Sequence, residues 1–252
     1  MRFTPEMRAL SWLTAAPIAH RGLHDRSNGL IENSRSAFAA AIAKGFAIEC
    51  DLQRTADNEA VVFHDDTLDR VAEGIGWIKD KSAAEVCATK LKDSVDCPQT
   101  LAEMLALVDG RVPLVIELKS HWDGDERLAQ RALRVLQNYT GAHCLMSFDP
   151  DAVEAVRKFS PRTVRGIVAD RCTDPYYHGL SQGRRLEMQT LSHLPRTAPH
   201  FMSFYFRDLP YVPVNQYRAT GHPLITWTIR SAQEASDALA WSDQITFEGF
   251  LP

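Results

Sequence analysis

The 252-residue sequence lacks several features that would assign a protein to a class directly. It has no run of about 18 apolar residues, so no transmembrane segment is predicted. It has no run rich in lysine and arginine, and its formal net charge of -4 argues against nucleic acid as a partner. It also has no G-x-G-x-x-G turn, so nothing supports a dinucleotide-binding fold.

Cysteine is scarce, and its spacing does not indicate a structural role. The five cysteines are odd in number and scattered, and no C-x-x-C pair occurs. Neither a disulfide framework nor a zinc site is therefore predicted, and free thiols of this kind suit a reducing compartment. We expect a cytoplasmic protein. The opening stretch MRFTPEMRALSWLTAAP carries Glu6 and Arg8 within it, so we expect a short amphipathic helix there rather than a signal peptide.

What the sequence does have is a repeated alternation of short apolar runs with segments of helical periodicity. The apolar runs, such as PIAH, FAIECDL and VPLVIELK, are typical of buried strands. About eight strand–helix units in a chain of this length predict a parallel sheet closed into a TIM (β/α)8 barrel. An open, doubly wound sheet is the alternative. We expect one domain over residues 1–252, with a small insertion at 67–99 after the second strand.

Carboxylates stand on two of the predicted strands. Side chains alternate across a strand, so Glu49 and Asp51 share one face, as do Glu117 and Lys119. Like charges buried on the inner wall of a barrel need a cation. Carboxylate oxygens suit Mg²⁺ or Ca²⁺. Two interpretations are open: the carboxylates hold a divalent cation, or they form ion pairs, such as Glu117 with Lys119.

Two histidines follow separate apolar runs. His20 ends PIAH and is followed by Arg21 and Gly22, and His64 comes directly after VVF. Acid–base cleavage needs one group to take a proton and another to give one near neutral pH, which imidazole can do. The other histidines have no comparable setting, and we interpret them as structural or surface residues.

Four motifs, taken in order and spacing, resemble the glycerophosphodiester phosphodiesterase family. The resemblance runs from about Pro17 to Lys119 and continues more weakly to the C-terminus. It implies a TIM barrel, a divalent cation (Mg²⁺ or Ca²⁺) and hydrolysis of small glycerophosphodiesters to glycerol 3-phosphate and an alcohol. The motifs that carry it are AHRG, ENS, ECDLQRTADNEAVVFHDDTLDR and VPLVIELK.

The resemblance also implies roles for individual residues. It places the acid–base pair at His20 and His64. Arg21 and Lys119 fall where the family contacts phosphate, and the planar fork of an arginine can donate two parallel hydrogen bonds to a phosphodiester. The implied metal ligands are the three carboxylates described above, Glu49, Asp51 and Glu117.

The sequence departs from the family pattern at two points. At residues 31–34 the sequence has Ile-Glu-Asn-Ser where the family usually has Pro-Glu-Asn-Thr. Ser34 keeps a hydroxyl that can cap a helix. After the last predicted strand, Phe247 and Glu248 replace the usual Thr-Asp. We expect the second departure to affect substrate preference more than the type of reaction.

The side of the site that would hold the leaving alcohol is the least defined. Phe148, Tyr205 and Trp227 lie near predicted strand ends, and Trp227 is the best candidate for a substrate contact, since a ring face attracts a quaternary ammonium. No buried charge is evident there, so we expect head groups to differ by about tenfold or less in kcat/KM. The alternatives are a related barrel phosphodiesterase acting on lysophospholipids or sphingomyelin, and a non-catalytic barrel that binds glycerophosphodiesters.

Overall fold

Parallel strands closed into a barrel form the centre of the protein. The computed structural model describes residues 10–252, except for the side chain of Tyr176. The strand Ile18–Ala19 pairs in parallel with both Ala47–Arg54 and Gln244–Phe247, which closes the barrel and confirms the predicted TIM fold over the open sheet. Its eight strands are β1 (Ile18–Ala19), β2 (Ala47–Arg54), β5 (Leu114–Leu118), β6 (His143–Ser147), β7 (Arg165–Ala169), β8 (Phe201–Tyr205), β9 (Leu224–Ile229) and β10 (Gln244–Phe247).

Helices between the strands cover the outside of the barrel. Ser34 begins the first of them, because its Oγ accepts a hydrogen bond from the Ala37 amide at 3.1 Å, and Gly45 ends it with a φ of 72°. The helices are α1 (Arg35–Lys44), α2 (Ala83–Cys87), α3 (Leu101–Val108), α4 (Arg127–Leu136), α5 (Pro150–Phe159), α6 (Gln182–Thr190), α7 (Leu194–Thr197), α8 (Val212–Ala219) and α9 (Ala232–Leu239).

The alternation of side chains along β2 separates the barrel interior from the helical layer. Ile48, Cys50 and Leu52 pack in the cluster shared with the helices, whereas Ala47 packs inside the barrel with Val115 of β5. The next inward positions toward the C-terminal ends of these strands carry charged residues. The parallel register pairs Asp51 with Glu117, so these two carboxylates lie on neighbouring strands at the same level.

A short antiparallel extension follows β2. β3 (Ala60–Val62) pairs antiparallel with β2, and β4 (Gln99–Thr100) pairs antiparallel with β3, so neither belongs to the parallel alternation. The segment between them packs around its own small hydrophobic cluster, which includes Leu68, Ile78 and Val86. His64 is therefore held at the barrel mouth by this extension rather than by a barrel strand.

The N-terminal helix expected from the sequence falls mainly on residues 1–9, which lie outside the described residues. The part that is described forms a single 3-10 turn, Ser11–Leu13, whose Leu13 is buried in the interior cluster of the barrel. Within residues 10–252, the helices are too short or too polar to cross a bilayer.

Gly166 on β7 is required by the packing of the barrel interior. A Cβ at this position would lie 2.3 Å from Cζ of the fully buried Phe201, its partner on β8. We expect Gly166→Ala to lower the free energy of unfolding by about 1–3 kcal/mol through overpacking, measured by urea denaturation. Gly183→Ala is the matched control: its Cβ would meet nothing within 4 Å, so stability should not fall. Equal stability of the two variants would contradict this account.

Candidate active site

Three buried carboxylates meet inside the mouth of the barrel. Glu49 and Asp51 on β2 and Glu117 on β5 are each less than 8% exposed. One oxygen from each lies within 4.8 Å of the others. The shared inward face that the strand alternation predicts is therefore present, and the three side chains form one cluster of hard oxygen donors.

Lys119 supplies positive charge to this cluster. Its Nζ lies 2.6 Å from Glu117 Oε1 and 2.7 Å from Asp51 Oδ1. Burial would raise the pKa of Asp51, but the charges of Lys119 and Arg21 together with the hydrogen bond from Lys119 outweigh it, and the pKa is lowered. Burial raises the pKa of Glu49 well above its usual value, and repulsion from Asp51 and Glu117 adds to this. The ion pair of Glu117 with Lys119 thus exists, yet Glu49 remains poorly compensated.

His20 is held by a carboxylate from the other end of the chain. Its Nδ1 donates to Glu248 Oε2 at 2.5 Å, and Glu248 is bound in turn by Arg230, whose NH2 lies 2.7 Å from Oε1. The other ring nitrogen, Nε2, lies 3.9 Å from Glu49 Oε2. Burial lowers the pKa of His20 to about 4, so the imidazole is neutral at pH 7. Glu248, the second departure from the family pattern, therefore fixes the orientation of His20.

His64 has an equivalent carboxylate partner. Its Nδ1 lies 2.6 Å from Asp65 Oδ1. Arg70 holds Asp65 through an Nε contact of 2.6 Å and also binds both oxygens of Glu32 at 2.7 Å. In both histidines a carboxylate on Nδ1 fixes the ring, which leaves Nε2 as the nitrogen available to a substrate.

Arg21 lies among carboxylates rather than at the cavity surface. Its NH1 donates to Glu32 at 2.7 Å, its Nε is 3.4 Å from Asp51, and its backbone N–H donates to Glu49 at 2.9 Å. The next residue, Gly22, has a φ of 80°, and a Cβ there would lie 2.8 Å from a Phe38 ring carbon. Glycine is required for this turn, which brings Arg21 to the carboxylate cluster.

A cavity of about 690 Å³ opens beside the cluster. Four of the residues predicted for the site border it: His64, Glu117, Lys119 and Trp227. Trp227 donates from Nε1 to the Ser203 carbonyl at 3.2 Å and lies within ring contact of Phe148 and Tyr205. The other predicted residues do not line the cavity. Glu49 and Asp51 belong to the carboxylate cluster, and His20 and Arg21 lie beside it.

Sequence reasoning missed several partners of these residues. Asn33 donates from Nδ2 to Asp51 at 2.9 Å, and its place in the ENS motif was the signal for it. His24, interpreted as structural or surface, lies 3.6 Å from Glu248. Arg70 ends the motif ECDLQRTADNEAVVFHDDTLDR, but nothing in the motif shows that it would bind Asp65 and Glu32, and Arg230 meets Glu248 only in the folded barrel.

Comparison with known proteins shows which family the chain belongs to. The model of the glycerophosphoryl diester phosphodiesterase family matches residues 20–249. A glycerophosphodiester phosphodiesterase from Caldanaerobacter subterraneus subsp. tengcongensis is 30% identical over 227 residues, which cover 84% of this chain and 84% of the relative.

Solved structures share the fold. A phosphodiesterase from Oleispira antarctica, solved with the product sn-glycerol-3-phosphate, has a TM-score of 0.75 at 21% identity, with 92% of each chain covered. A glycerophosphodiester phosphodiesterase from Thermotoga maritima has a TM-score of 0.70 at 22% identity, covering 92% of this chain and 94% of its own. The chain belongs to the glycerophosphoryl diester phosphodiesterase family and is an enzyme of the phosphoric diester hydrolase class.

Proposed function

We propose that this protein hydrolyses small glycerophosphodiesters to glycerol 3-phosphate and an alcohol in a reaction that depends on a divalent cation. The observation that carries the proposal is a cluster of three buried carboxylates beside a lysine, next to a cavity. His20 lies beside this cluster and His64 borders the cavity, and each ring is held by a carboxylate. The bound product of the Oleispira antarctica relative, sn-glycerol-3-phosphate, has the same chemistry as the product proposed here.

The donor set fits a divalent cation. Glu49, Asp51 and Glu117 would hold it through carboxylate oxygens, the ligand type that Mg²⁺ and Ca²⁺ prefer. The raised pKa of Glu49, caused by burial and by its acidic neighbours, supports this, because a nearby cation would offset both effects. When bound, such an ion neutralises a nonbridging phosphoryl oxygen and so stabilises the transition state.

The two histidines divide the proton transfers between them. His20 is neutral at pH 7, because burial lowers its pKa to about 4, so its Nε2 carries no proton and can accept one from the nucleophile. The nucleophile is water, or the neighbouring glycerol hydroxyl, which displaces the alcohol to form a cyclic phosphate that water then opens to glycerol 3-phosphate. His64 borders the cavity and would return a proton to the leaving alkoxide, with Asp65 holding its ring in place.

Lys119 and Arg21 would stabilise the phosphate in different ways. Lys119 borders the cavity, so its ammonium can contact a phosphoryl oxygen directly while it remains paired with Asp51. Arg21 donates to Glu32 and lies near Asp51, so its contribution is a positive charge close to the ligand carboxylates and, where its guanidinium can reach, a hydrogen bond to phosphate.

The direct test is glycerol 3-phosphate release from glycerophosphoethanolamine with and without chelator. We expect exhaustive chelation to lower the rate at least about 100-fold, because the cation supplies several kcal/mol of charge stabilisation in the transition state. Added Mg²⁺ or Ca²⁺ should restore it. A lysophospholipid assayed in parallel should be a poor substrate. A full rate in the chelated enzyme would contradict metal dependence, and a faster rate on the lysophospholipid would favour the alternative substrate class.

A further inference from the structure

The far side of the cavity carries buried charge, contrary to the expectation from sequence. Asp149, two residues after the end of β6, borders the cavity and is only 2% exposed. Asp170, directly after β7, borders it as well. The expectation that this side has no buried charge is wrong, because both aspartates come from loops whose sequences do not reveal that they converge on one cavity.

The hydrogen bonds of these two aspartates come from neutral donors. Asp149 accepts from Ser120 Oγ at 2.6 Å and from the Asp151 amide at 2.9 Å. Asp170 accepts from the Tyr177 hydroxyl at 2.8 Å and from the Cys172 amide. No lysine, arginine or histidine nitrogen of residues 10–252 lies within ion-pairing distance of either one. Burial accordingly raises the pKa of both carboxyls.

Acidic residues border most of the cavity, and Glu117, Asp65 and Asp66 are among them as well as Asp149 and Asp170. Lys119 is the one lysine or arginine among the described residues that border it. Asp174 and Asp208 border it along with the two described above, but Asp208 is paired with Arg171, whose Nε lies 4.0 Å from Oδ1. Because the strands follow the order β5, β6, β7, β8 around the barrel, Lys119 stands at one side and the aspartates follow in succession from it.

Aromatic rings complete the wall beside the aspartates. The Trp227 ring centroid lies 5.3 Å from that of Phe148 and 5.2 Å from that of Tyr205, and all three border the cavity. Aromatic faces and carboxylates together are the groups that bind an organic ammonium ion, through cation–π attraction and charge pairing. A neutral polyol would leave the buried Asp149 and the half-buried Asp170 without a compensating charge, and an anionic head group would be repelled by both.

We propose that this cavity selects glycerophosphodiesters whose leaving alcohol carries an ammonium group, which Asp149 and Asp170 bind while the phosphate lies at Lys119. The inference rests on the proposed function and adds the class of its substrate. A zwitterionic diester matches the cavity at both ends: its negative phosphate faces the lysine and its positive end faces the aspartates. The volume of about 690 Å³ is within the usual range of small-molecule sites, about 300–1,000 Å³.

The test compares two substrates of nearly equal size. Glycerophosphoethanolamine ends in an ammonium group, and the n-propyl ester of glycerol 3-phosphate carries a methyl group in its place. We expect kcat/KM to be at least about tenfold higher for the ammonium substrate, which corresponds to about 1.4 kcal/mol of transition-state binding. Both assays use the full chain with saturating Mg²⁺.

Charge-neutralising variants assign the preference to the two aspartates. In the Asp149→Asn/Asp170→Asn double variant the ratio of the two kcat/KM values should fall below about threefold. Asparagine at position 149 can still cap α5, which limits structural change. Asp170→Asn alone is the second variant, in case the double variant does not fold. Asp237→Asn on the exposed face of α9 makes the same charge change away from the cavity and should leave the ratio unchanged.

The outcomes separate this inference from the proposed function. Equal kcat/KM values for the two substrates in the wild type would overturn the inference while leaving the hydrolase function intact. A preference that survives in a folded double variant would also overturn it. Absence of turnover on both substrates would instead contradict the proposed function.

Discussion

His20→Ala should lower kcat for glycerophosphodiester hydrolysis by about 10²–10⁴-fold, the usual contribution of a general acid–base group. The neutral ring of His20 is held by Glu248, with Nε2 3.9 Å from Glu49 Oε2, so replacing it removes the proton acceptor beside the carboxylate cluster. His64→Ala should cause a loss in the same range. Because the two groups serve one reaction, the double variant should lose much less than the product of the two single losses.

Two further variants make this prediction specific. His143→Ala is the matched control, because His143 lies at the start of β6, at the opposite end of the barrel from the site. It should leave kcat unchanged. Glu248→Gln keeps a hydrogen-bonding side chain near Nδ1 of His20 and should lose less activity than His20→Ala. Near-normal turnover in His20→Ala or His64→Ala would assign that histidine a structural role only.

Glu117→Gln should abolish metal-dependent activity while the protein stays folded. The substitution keeps the size of the side chain but removes one of three carboxylates from a buried donor set, and Mg²⁺ and Ca²⁺ bind chiefly through such oxygens. We expect the affinity for Mg²⁺ or Ca²⁺ to fall at least about 100-fold. Mutating even a residue that only hydrogen-bonds to a metal ligand lowers metal affinity or activity by about 10–100-fold. Calorimetric titration of the chelated protein with each ion measures this, and circular dichroism checks the fold.

Glu73→Gln provides the matched control for the metal prediction. Glu73 is exposed in the segment between β3 and β4, and the same substitution there should change neither metal affinity nor kcat. If Glu117→Gln kept full activity after exhaustive chelation, Glu117 would not be a ligand. The contact of Lys119 with Glu117 would then be a purely structural ion pair.

The sequence by itself determined the barrel and the inward faces of β2 and β5. Both follow from local periodicity: strand–helix alternation predicts parallel strands with helical crossovers, and the period of two in β2 places Glu49 and Asp51 on one side. That alternation also accounts for Ile48, Cys50 and Leu52 packing against the helices. Patterns of this kind can be recognised in the sequence because each depends on residues only a few positions apart in the chain.

Only the tertiary structure decided which distant residues meet. Glu248 binds His20 across 228 residues of chain, because closure of the barrel brings β10 beside β1. β3, which looks like one more parallel strand in the sequence, turns back on β2 and brings His64 to the mouth. Asp149 looks in sequence like a helix cap, and it is one, but its position after β6 also brings it to the cavity. Such contacts depend on the relative placement of whole strands and loops, which no local pattern encodes.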